Sequence, residues 1–529
     1  MRIGVDVGGT NTDAVLMDGR TVLAATKSPT TEDVSGGIMT AVRRVLAEAG
    51  VSPSEIQVVM IGTTHFTNAF VEARNLLEVG VIRIALPSGR GIPPLCDWPE
   101  RLRRAVGDHV HQVHGGFQYD GRENAPLDEL AVAEAAREFR RKGLRAAAIS
   151  GAFSPINGDH EQRAAEILRN EAPDIHVTLS GEIGRIGLLE RENAAVMNAS
   201  LAAMSRRVVQ SFRDALAGLD ITAPFYISQN DGTLMSAAHV ERYPVLTFAS
   251  GPTNSMRGAA YLSGAKRAIV ADIGGTTTDV GVLDNGFPRE SAVTVDIGGV
   301  RTNFRMPDIL AIGLGGGSRV SEDGSEVGPE SVGYNLLKDG LVFGGSVLTA
   351  SDIAVASGRA IMGNPKHIAH LDRGLVARAA TRIDQKLAEA VDRMKTSAAE
   401  VPLILVGGGA VLVSREVPGV SEVIVPEHAA VANAIGAAIA QVGGETDRVY
   451  SYESLGRERA LELARAEAIE NAVAAGAAPG TVEVVDMEEM PLQYVPGGAV
   501  RLRVRAVGDL DLSFGPAGGV ARKANEERP

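Results

Sequence analysis

The chain of 529 residues is 45% hydrophobic and 22% charged, too long for one hydrophobic core and ordinary for a globular protein. Its formal charge of −13 argues against nucleic acid or an anionic membrane as the main partner, and a lone cysteine, Cys96, rules out a disulfide framework and fits a reducing cytoplasm. Aromatic residues, at 4%, leave little for stacking on bases, whereas 61 glycines suit an α/β protein with many tight turns.

Met1-Arg2-Ile3 runs straight into the first predicted strand, which leaves no room for a signal peptide. Strands over 3–6 and 13–17 are joined by a glycine turn within Gly4-Val5-Asp6-Val7-Gly8-Gly9-Thr10-Asn11-Thr12-Asp13. The spacing of Ile38, Val42 and Leu46 predicts a helix over 34–49, followed by a break and a buried strand over 56–61. A helix over 134–142 and a strand over 146–150 continue the alternation, which predicts a mostly parallel sheet covered by helices. The segment 92–127, rich in Pro, Gly, His and Arg, is expected to be a less regular insertion. The longest helical pattern, 190–216, is expected to carry the chain between two lobes, the second opening at Tyr226-Ile227-Ser228.

The second lobe repeats the opening motif as Val270-Ala271-Asp272-Ile273-Gly274-Gly275-Thr276-Thr277-Thr278-Asp279. The glycine-rich tract 313–345 has little periodicity and reads as loops, with helices resuming over 350–357 and 375–395. A buried strand, Leu403-Ile404-Leu405-Val406, ends in Gly407-Gly408-Gly409-Ala410, and a small-residue helix follows over 432–440. A charge-laced helix over 453–476 and strands over 481–485 and 500–506 form a small C-terminal α+β appendage, with polar residues 521–529 frayed. The apolar stretch 429–442 is too short and too alanine-rich to span a bilayer. The expected division is 1–190, 191–445 and 446–529.

Two matched strand–turn–strand motifs are the chemically informative feature. Glycine lets backbone N–H groups and threonine hydroxyls approach a phosphate without a Cβ in the way. An aspartate at each strand tip, Asp6 and Asp272, can hold a metal ion or orient a water over that phosphate. Two copies in one chain suggest related lobes gripping a single polyphosphate from both sides.

The order of glycine turn, second glycine turn, triple glycine after a strand and small-residue helix resembles the actin-like ATPase superfamily. That resemblance implies two actin-like, ribonuclease H-like lobes around a nucleotide cleft. It assigns Gly8, Gly9, Thr10 and Thr12 to the first phosphate loop and Gly274, Gly275, Thr276 and Thr278 to the second. Gly407, Gly408 and Gly409 become the turn beside the adenosine, and Asp6 and Asp272 the Mg²⁺-associated carboxylates. Asp13 and Asp279 stand either behind these or as turn-capping carboxylates.

Further segments narrow the resemblance: Gly62-Thr63-Thr64-His65-Phe66-Thr67-Asn68-Ala69, Ser250-Gly251-Pro252-Thr253, Ile312-Gly313-Leu314-Gly315-Gly316-Gly317-Ser318 and Gly328-Pro329-Glu330-Ser331-Val332-Gly333. Together with the two turns they resemble the A-type subunits of the hydantoinase/oxoprolinase family, over about residues 1–440. Asn11 stands where that family usually has Phe, and Tyr334-Asn335-Leu336-Leu337 replaces an expected Pro-Gly-Pro-Ala-Cys-Tyr-Gly stretch, which leaves the substrate open.

The resemblance implies an ATP-dependent hydrolase. Phosphorylation of a carbonyl oxygen activates a cyclic amide such as a hydantoin or 5-oxoproline, so that water opens the ring and ADP and phosphate leave. Thr63, Thr64, Thr67 and Asn68 are the expected substrate contacts, and His65 reads either as a general acid or base or as a solvated loop histidine. A B-type partner subunit or a homo-oligomer is expected by the same resemblance. Rival readings are a sugar-type kinase, a ketone carboxylase-type subunit and an ATP-driven switch or reactivating chaperone. Asp352 matches a family position near the site and also reads as a helix cap. Glu190-Arg191-Glu192-Asn193 and Asn198 match a family segment and read as a charged helix face. His109, His111 and His114 are a histidine cluster with metal-binding potential but no nearby cysteine.

Overall fold

The computed structural model describes residues 1–8, 11–29, 34–291, 294–303, 306–493 and 497–512. In chain order the strands are β1 (Arg2–Val7), β2 (Asn11–Asp18), β3 (Thr21–Pro29), β4 (Val58–Thr63), β5 (Val79–Leu86), β6 (His109–His114), β7 (Ala146–Gly151) and β8 (His176–Leu179). They continue as β9 (Phe225–Ser228), β10 (Thr233–Ser236), β11 (Ala268–Ile273), β12 (Thr278–Asp284), β13 (Phe287–Pro288), β14 (Val295–Ile297), β15 (Val300–Thr302) and β16 (Ile309–Ile312). The rest are β17 (Ser318–Val320), β18 (Val327–Ser331), β19 (Val401–Val406), β20 (Val420–Ile424), β21 (Gln441–Ser451), β22 (Glu483–Pro491) and β23 (Ala499–Gly508).

Two sheets carry the same five-strand plan. In the first, β3-β2-β1 is an antiparallel meander, and β4 and then β9 add in parallel on the other side of β1. In the second, β16-β12-β11 is antiparallel, and β19 and then β20 add in parallel beyond β11. The resemblance between the two sequence motifs therefore extends to a duplicated architecture. A separate four-stranded parallel sheet, β6-β5-β7-β8, is built into the first half.

Alternation along the strands makes these sheets two-sided. Ala14 and Leu16 of β2 face the core that also holds Ile3, Val5 and Phe66, whereas Val15 and Met17 face Ile435 and Ala438 on the opposite side. The helix Ser250–Ser263 touches β4 of the first sheet and β11 and β19 of the second, and the helix Ala432–Ala438 crosses it. Their backbones meet at Gly258 and Gly436: a Cβ on Gly258 would collide with the Ala432 carbonyl group, and one on Gly436 with that of Asn254.

Several expected elements fall where the pattern put them, among them the helices Val34–Ala49, Ala350–Ala356 and Arg373–Met394. Three features differ. The strand at Tyr226 does not open the second lobe: β9 pairs with β4, so residues 225–228 belong to the first sheet. The expected long helix over 190–216 is two helices, Leu188–Ser200 and Ala202–Ala217. The C-terminal α+β segment is joined to the first sheet, because β21 pairs with β10, β23 with β21 and β22 with β23. The sheet pairings therefore do not follow a division of the chain at 190 and 445.

The expected charged face over 190–198 is also corrected. Arg191, Glu192, Asn193 and Asn198 are buried, at 0–2% exposure. Glu192 receives two bonds from Arg83 (2.8 and 2.5 Å) and one from Ser150 (2.6 Å). Asn193 accepts from the Trp98 indole at 2.7 Å, and the Arg191 guanidinium donates to Ser180 and to the carbonyls of Gly151, Arg185 and Ile186. Buried charge persists only when paired in this way.

Candidate active site

The two glycine turns are closed alike. The Gly8 N–H donates to the Asn11 carbonyl at 3.0 Å, and the Gly274 N–H to the Thr277 carbonyl at 2.9 Å. Gly9 and Thr10, expected phosphate ligands, lie outside the described residues. Gly275 and Thr276 are exposed and available to a ligand.

Each hairpin sets two aspartates side by side: Asp6 opposite Asp13 on β1 and β2, and Asp272 opposite Asp279 on β11 and β12. Like charges directly opposite each other destabilise a sheet, and this chain incurs that cost twice at equivalent positions. Asp6 and Asp13 are 4% and 2% exposed. Burial, then the charge of Asp13, pushes the Asp6 carboxyl up to about 6. Burial, then Asp272, pushes Asp279 up to about 7, and burial raises Asp272. Asp272 also contributes to the rise at Asp6, so charge is felt between the hairpins.

One helix ties the hairpins together. At consecutive positions of the helix Ser250–Ser263, the Asn254 amide donates to Asp6 (3.4 Å) and the Ser255 hydroxyl to Asp272 (2.5 Å). Asn433, on the crossing helix, donates to both Asp6 (3.0 Å) and Asp13 (2.9 Å), and Lys27 Nζ pairs with Asp13 at 2.8 Å. Sequence reasoning missed Asn254, Ser255, Asn433 and Lys27. A signal existed for three of them: Asn254 and Ser255 directly follow the Ser-Gly-Pro-Thr segment, and Asn433 is a lone amide in an alanine-rich helix.

Two glycines make room for the carboxylates. A Cβ on Gly62 would strike Asp6 Oδ1 and Asn254, and one on Gly407 would strike Asp272 Oδ1 and the Ile273 carbonyl. The triple-glycine turn is fixed under the second loop by Gly409 N–H to the Ile273 carbonyl, 2.7 Å. The Gly315–Gly317 stretch beds the same loop, with Gly316 and Gly317 N–H donating to the Gly274 and Gly275 carbonyls at 3.0 and 2.7 Å. Thr278 is fully buried and donates its hydroxyl to the Leu314 carbonyl at 2.7 Å, so it braces the loop rather than facing the cleft. Thr12, at the equivalent position, is also fully buried.

The Gly62-to-Asn68 segment begins beside Asp6, since Asp6 is opposite Gly62 across β1 and β4. His65 Nδ1 is 2.7 Å from the Thr63 hydroxyl, and burial lowers the pKa of its imidazole. The Ser250 hydroxyl donates to the Thr63 carbonyl at 3.3 Å, and Thr64 links to Val7 and Asn68, each at 3.4 Å. The Thr67 hydroxyl oxygen is buried without a hydrogen-bond partner. Asp352 is spent on capping, accepting from the Thr349 N–H and hydroxyl at 2.7 and 2.8 Å and from the Val342 N–H at 2.6 Å.

The histidine cluster lies on the separate four-stranded sheet, at β6. His109 and His111 of β6 pair with Glu78 (3.0 Å) and Glu138 (3.2 Å). Among the described residues no group of three His, Cys, Asp or Glu could hold a metal ion by itself. Asp6 and Asp272 instead offer hard oxygen donors from opposite hairpins, and Asp13 Oδ1 is buried with no partner. That donor set fits magnesium, which takes one or two carboxylates and completes its shell with water and substrate phosphates.

The carboxylates also predict a pH dependence of stability. A raised folded-state pKa stabilises the fold fully below the unfolded value, near 3.9, and that contribution is lost as pH climbs through the folded value. For Asp6, at about 6, the loss is about 3 kcal/mol. We expect Asp6→Asn to melt higher than the natural chain at pH 8 and the difference to shrink toward pH 4.5, in calorimetric scans without nucleotide. Parallel melting profiles would contradict this.

A duplicated sheet with an aspartate hairpin in each copy, both bonded to one helix, is the actin-like ATPase fold. The sequence matches family models described as the hydantoinase/oxoprolinase N-terminal region, over residues 2–172, and hydantoinase/oxoprolinase, over 191–402. The chain belongs to the hydantoinase/oxoprolinase family. It is 28% identical to caprolactamase subunit alpha of Pseudomonas jessenii, over 63% of this chain and 51% of that protein. It is 29% identical to the acetophenone carboxylase gamma subunit of Aromatoleum aromaticum, over 67% of this chain and 53% of that one. The chain thus spans about half the length of the curated relatives it matches. Among solved structures, ATP-dependent caprolactamase from P. jessenii shares the fold with a TM-score of 0.76 at 22% identity, over 97% of this chain and 88% of that one. Nucleotide-free acetone carboxylase shares it with a TM-score of 0.66 at 19% identity, over 96% and 88%. No helix among the described residues is long and apolar enough to cross a membrane.

Proposed function

We propose that this chain is the nucleotide-binding subunit of a cytoplasmic, ATP-dependent enzyme that opens a cyclic amide such as a hydantoin or 5-oxoproline. The observation that carries the reading is the pair of aspartate hairpins held by adjacent residues of one helix. That arrangement suits a single Mg·ATP gripped from both sides, with the Gly275 backbone N–H and the exposed Thr276 at the phosphates and Gly407, Gly408 and Gly409 beside the adenosine. Asp6 and Asp272 would hold magnesium, which when bound neutralises charge on the phosphates.

The substrate would lie against Thr63, Thr64, Thr67 and Asn68, with its carbonyl oxygen in line with the γ-phosphorus. Transfer forms the carbonyl oxygen–phosphorus bond and breaks the bond from phosphorus to the β–γ bridging oxygen, whose electron pair leaves with ADP. His65 takes a proton from the attacking water and returns it to the ring nitrogen as the carbon–nitrogen bond breaks. A second water then releases phosphate from the resulting acyl phosphate.

A B-type partner subunit is part of the proposal, because relatives carry subunit names. Activation of a ketone for carboxylation is the second reading, favoured by the acetophenone carboxylase relative. A panel of cyclic amides and ketones, assayed for stimulated phosphate release with and without a partner polypeptide, tests both. Ring-opened product with free phosphate supports the first reading, and bicarbonate-dependent turnover of a ketone supports the second. A stable phosphorylated product supports a kinase and contradicts both.

A further inference from the structure

The two half-sites are built alike but charged differently. In the first sheet three side chains stand in one row across β1, β2 and β3: Asp6 opposite Asp13, and Asp13 opposite Lys27. The second sheet repeats the row with Asp272 opposite Asp279, but the residue opposite Asp279 on β16 is Ala311. A fixed cation is present in one copy and replaced by a methyl group in the other.

Lys27 is placed to do more than balance Asp13. Its side chain is 37% exposed, and its ammonium offers three donors, one of which is taken by Asp13 Oδ2 at 2.8 Å. Its charge also reaches Asp272 of the opposite hairpin, where it counteracts the effect of burial. Among the described residues, Lys27 is the basic residue in an ion pair with any of the four aspartates.

We propose that Lys27 is a catalytic residue that contacts a non-bridging oxygen of the phosphoryl group during its transfer to the substrate. The proposal deepens the ATP-dependent reading and rests on it. As the bond from phosphorus to the bridging oxygen breaks and the bond to the carbonyl oxygen forms, negative charge spreads over the equatorial oxygens. Lys27 supplies positive charge there, a contact stronger in transfer than before it. The second half-site, with Ala311 in the row, has no side-chain cation at the equivalent position. The duplicated hairpins thereby take unlike roles.

The test uses the full chain with Mg·ATP, Mg·ADP, and Mg·ADP with aluminium fluoride as a mimic of the phosphoryl group in transfer. Lys27→Met is expected to lower phosphate release about 100- to 1000-fold. It should change Mg·ADP affinity by less than about threefold while abolishing the tighter binding that aluminium fluoride confers. Because Lys27→Met leaves Asp13 without its ion pair and can destabilise the fold, the double variant Lys27→Met/Asp13→Asn is made alongside. It should regain the natural melting temperature without regaining turnover. Recovery of turnover in the double variant, or retention of aluminium fluoride binding by Lys27→Met, overturns the assignment and leaves the nucleotide reading standing. Failure of the natural chain to bind Mg·ATP overturns the nucleotide reading, and this assignment with it.

Discussion

Asp272→Asn and Asp6→Asn are each expected to reduce ATP turnover about 1000-fold, equivalent to about 4 kcal/mol of transition-state stabilisation, while the protein stays folded. Asparagine preserves the shape and the acceptor oxygen, so Ser255 can still donate at position 272, and what is lost is the charge. At Asp6 the lost charge is one that burial and Asp13 already oppose, so the folded state should gain stability at neutral pH as function disappears. Opposite signs for stability and turnover distinguish a functional carboxylate from a structural one. Phosphate release and thermal melting, measured on the same preparations, check the pair of signs. Turnover within tenfold of the natural chain in either variant would remove that aspartate from the mechanism.

Glu192→Ala carries the largest expected effect on stability. It leaves the buried Arg83 guanidinium, 1% exposed, without its bidentate partner and strands the Ser150 hydroxyl. Removing one partner of a buried pair costs about 3–5 kcal/mol, whereas exchanging both for apolar groups of similar volume can be neutral. Denaturant titration should therefore show a large drop for Glu192→Ala and recovery in Arg83→Met/Glu192→Leu. A shift of less than about 1 kcal/mol for the single variant would contradict the account of this helix as a buried polar hub.

What could be read from the sequence was local. The paired hairpins were legible because glycine, threonine and aspartate recur at the same offsets around Asp6 and Asp272, and the helices because their apolar residues recur with helical spacing. The attachment of β9, β10 and β21 to β23 to the first sheet was not, since pairing between strands hundreds of residues apart leaves no trace in either strand. Arg191 and Glu192 look like solvated charge by composition alone; only their distant partners, Ser180 and Arg83, make burial tolerable. The fate of Thr12 and Thr278 was within reach: strand alternation sets them on the face opposite Asp13 and Asp279, away from the carboxylate row. Lys27 was hidden because its meaning comes from the register of β2 with β3, which the sequence does not state.

The central claim is that two copies of one hairpin close on a single nucleotide. Isothermal titration of the full chain with Mg·ATP measures it directly. The account predicts one nucleotide bound per chain, with binding weakened by substitution of the aspartate in either hairpin. No binding, two nucleotides per chain, or binding that survives loss of both aspartates would contradict it.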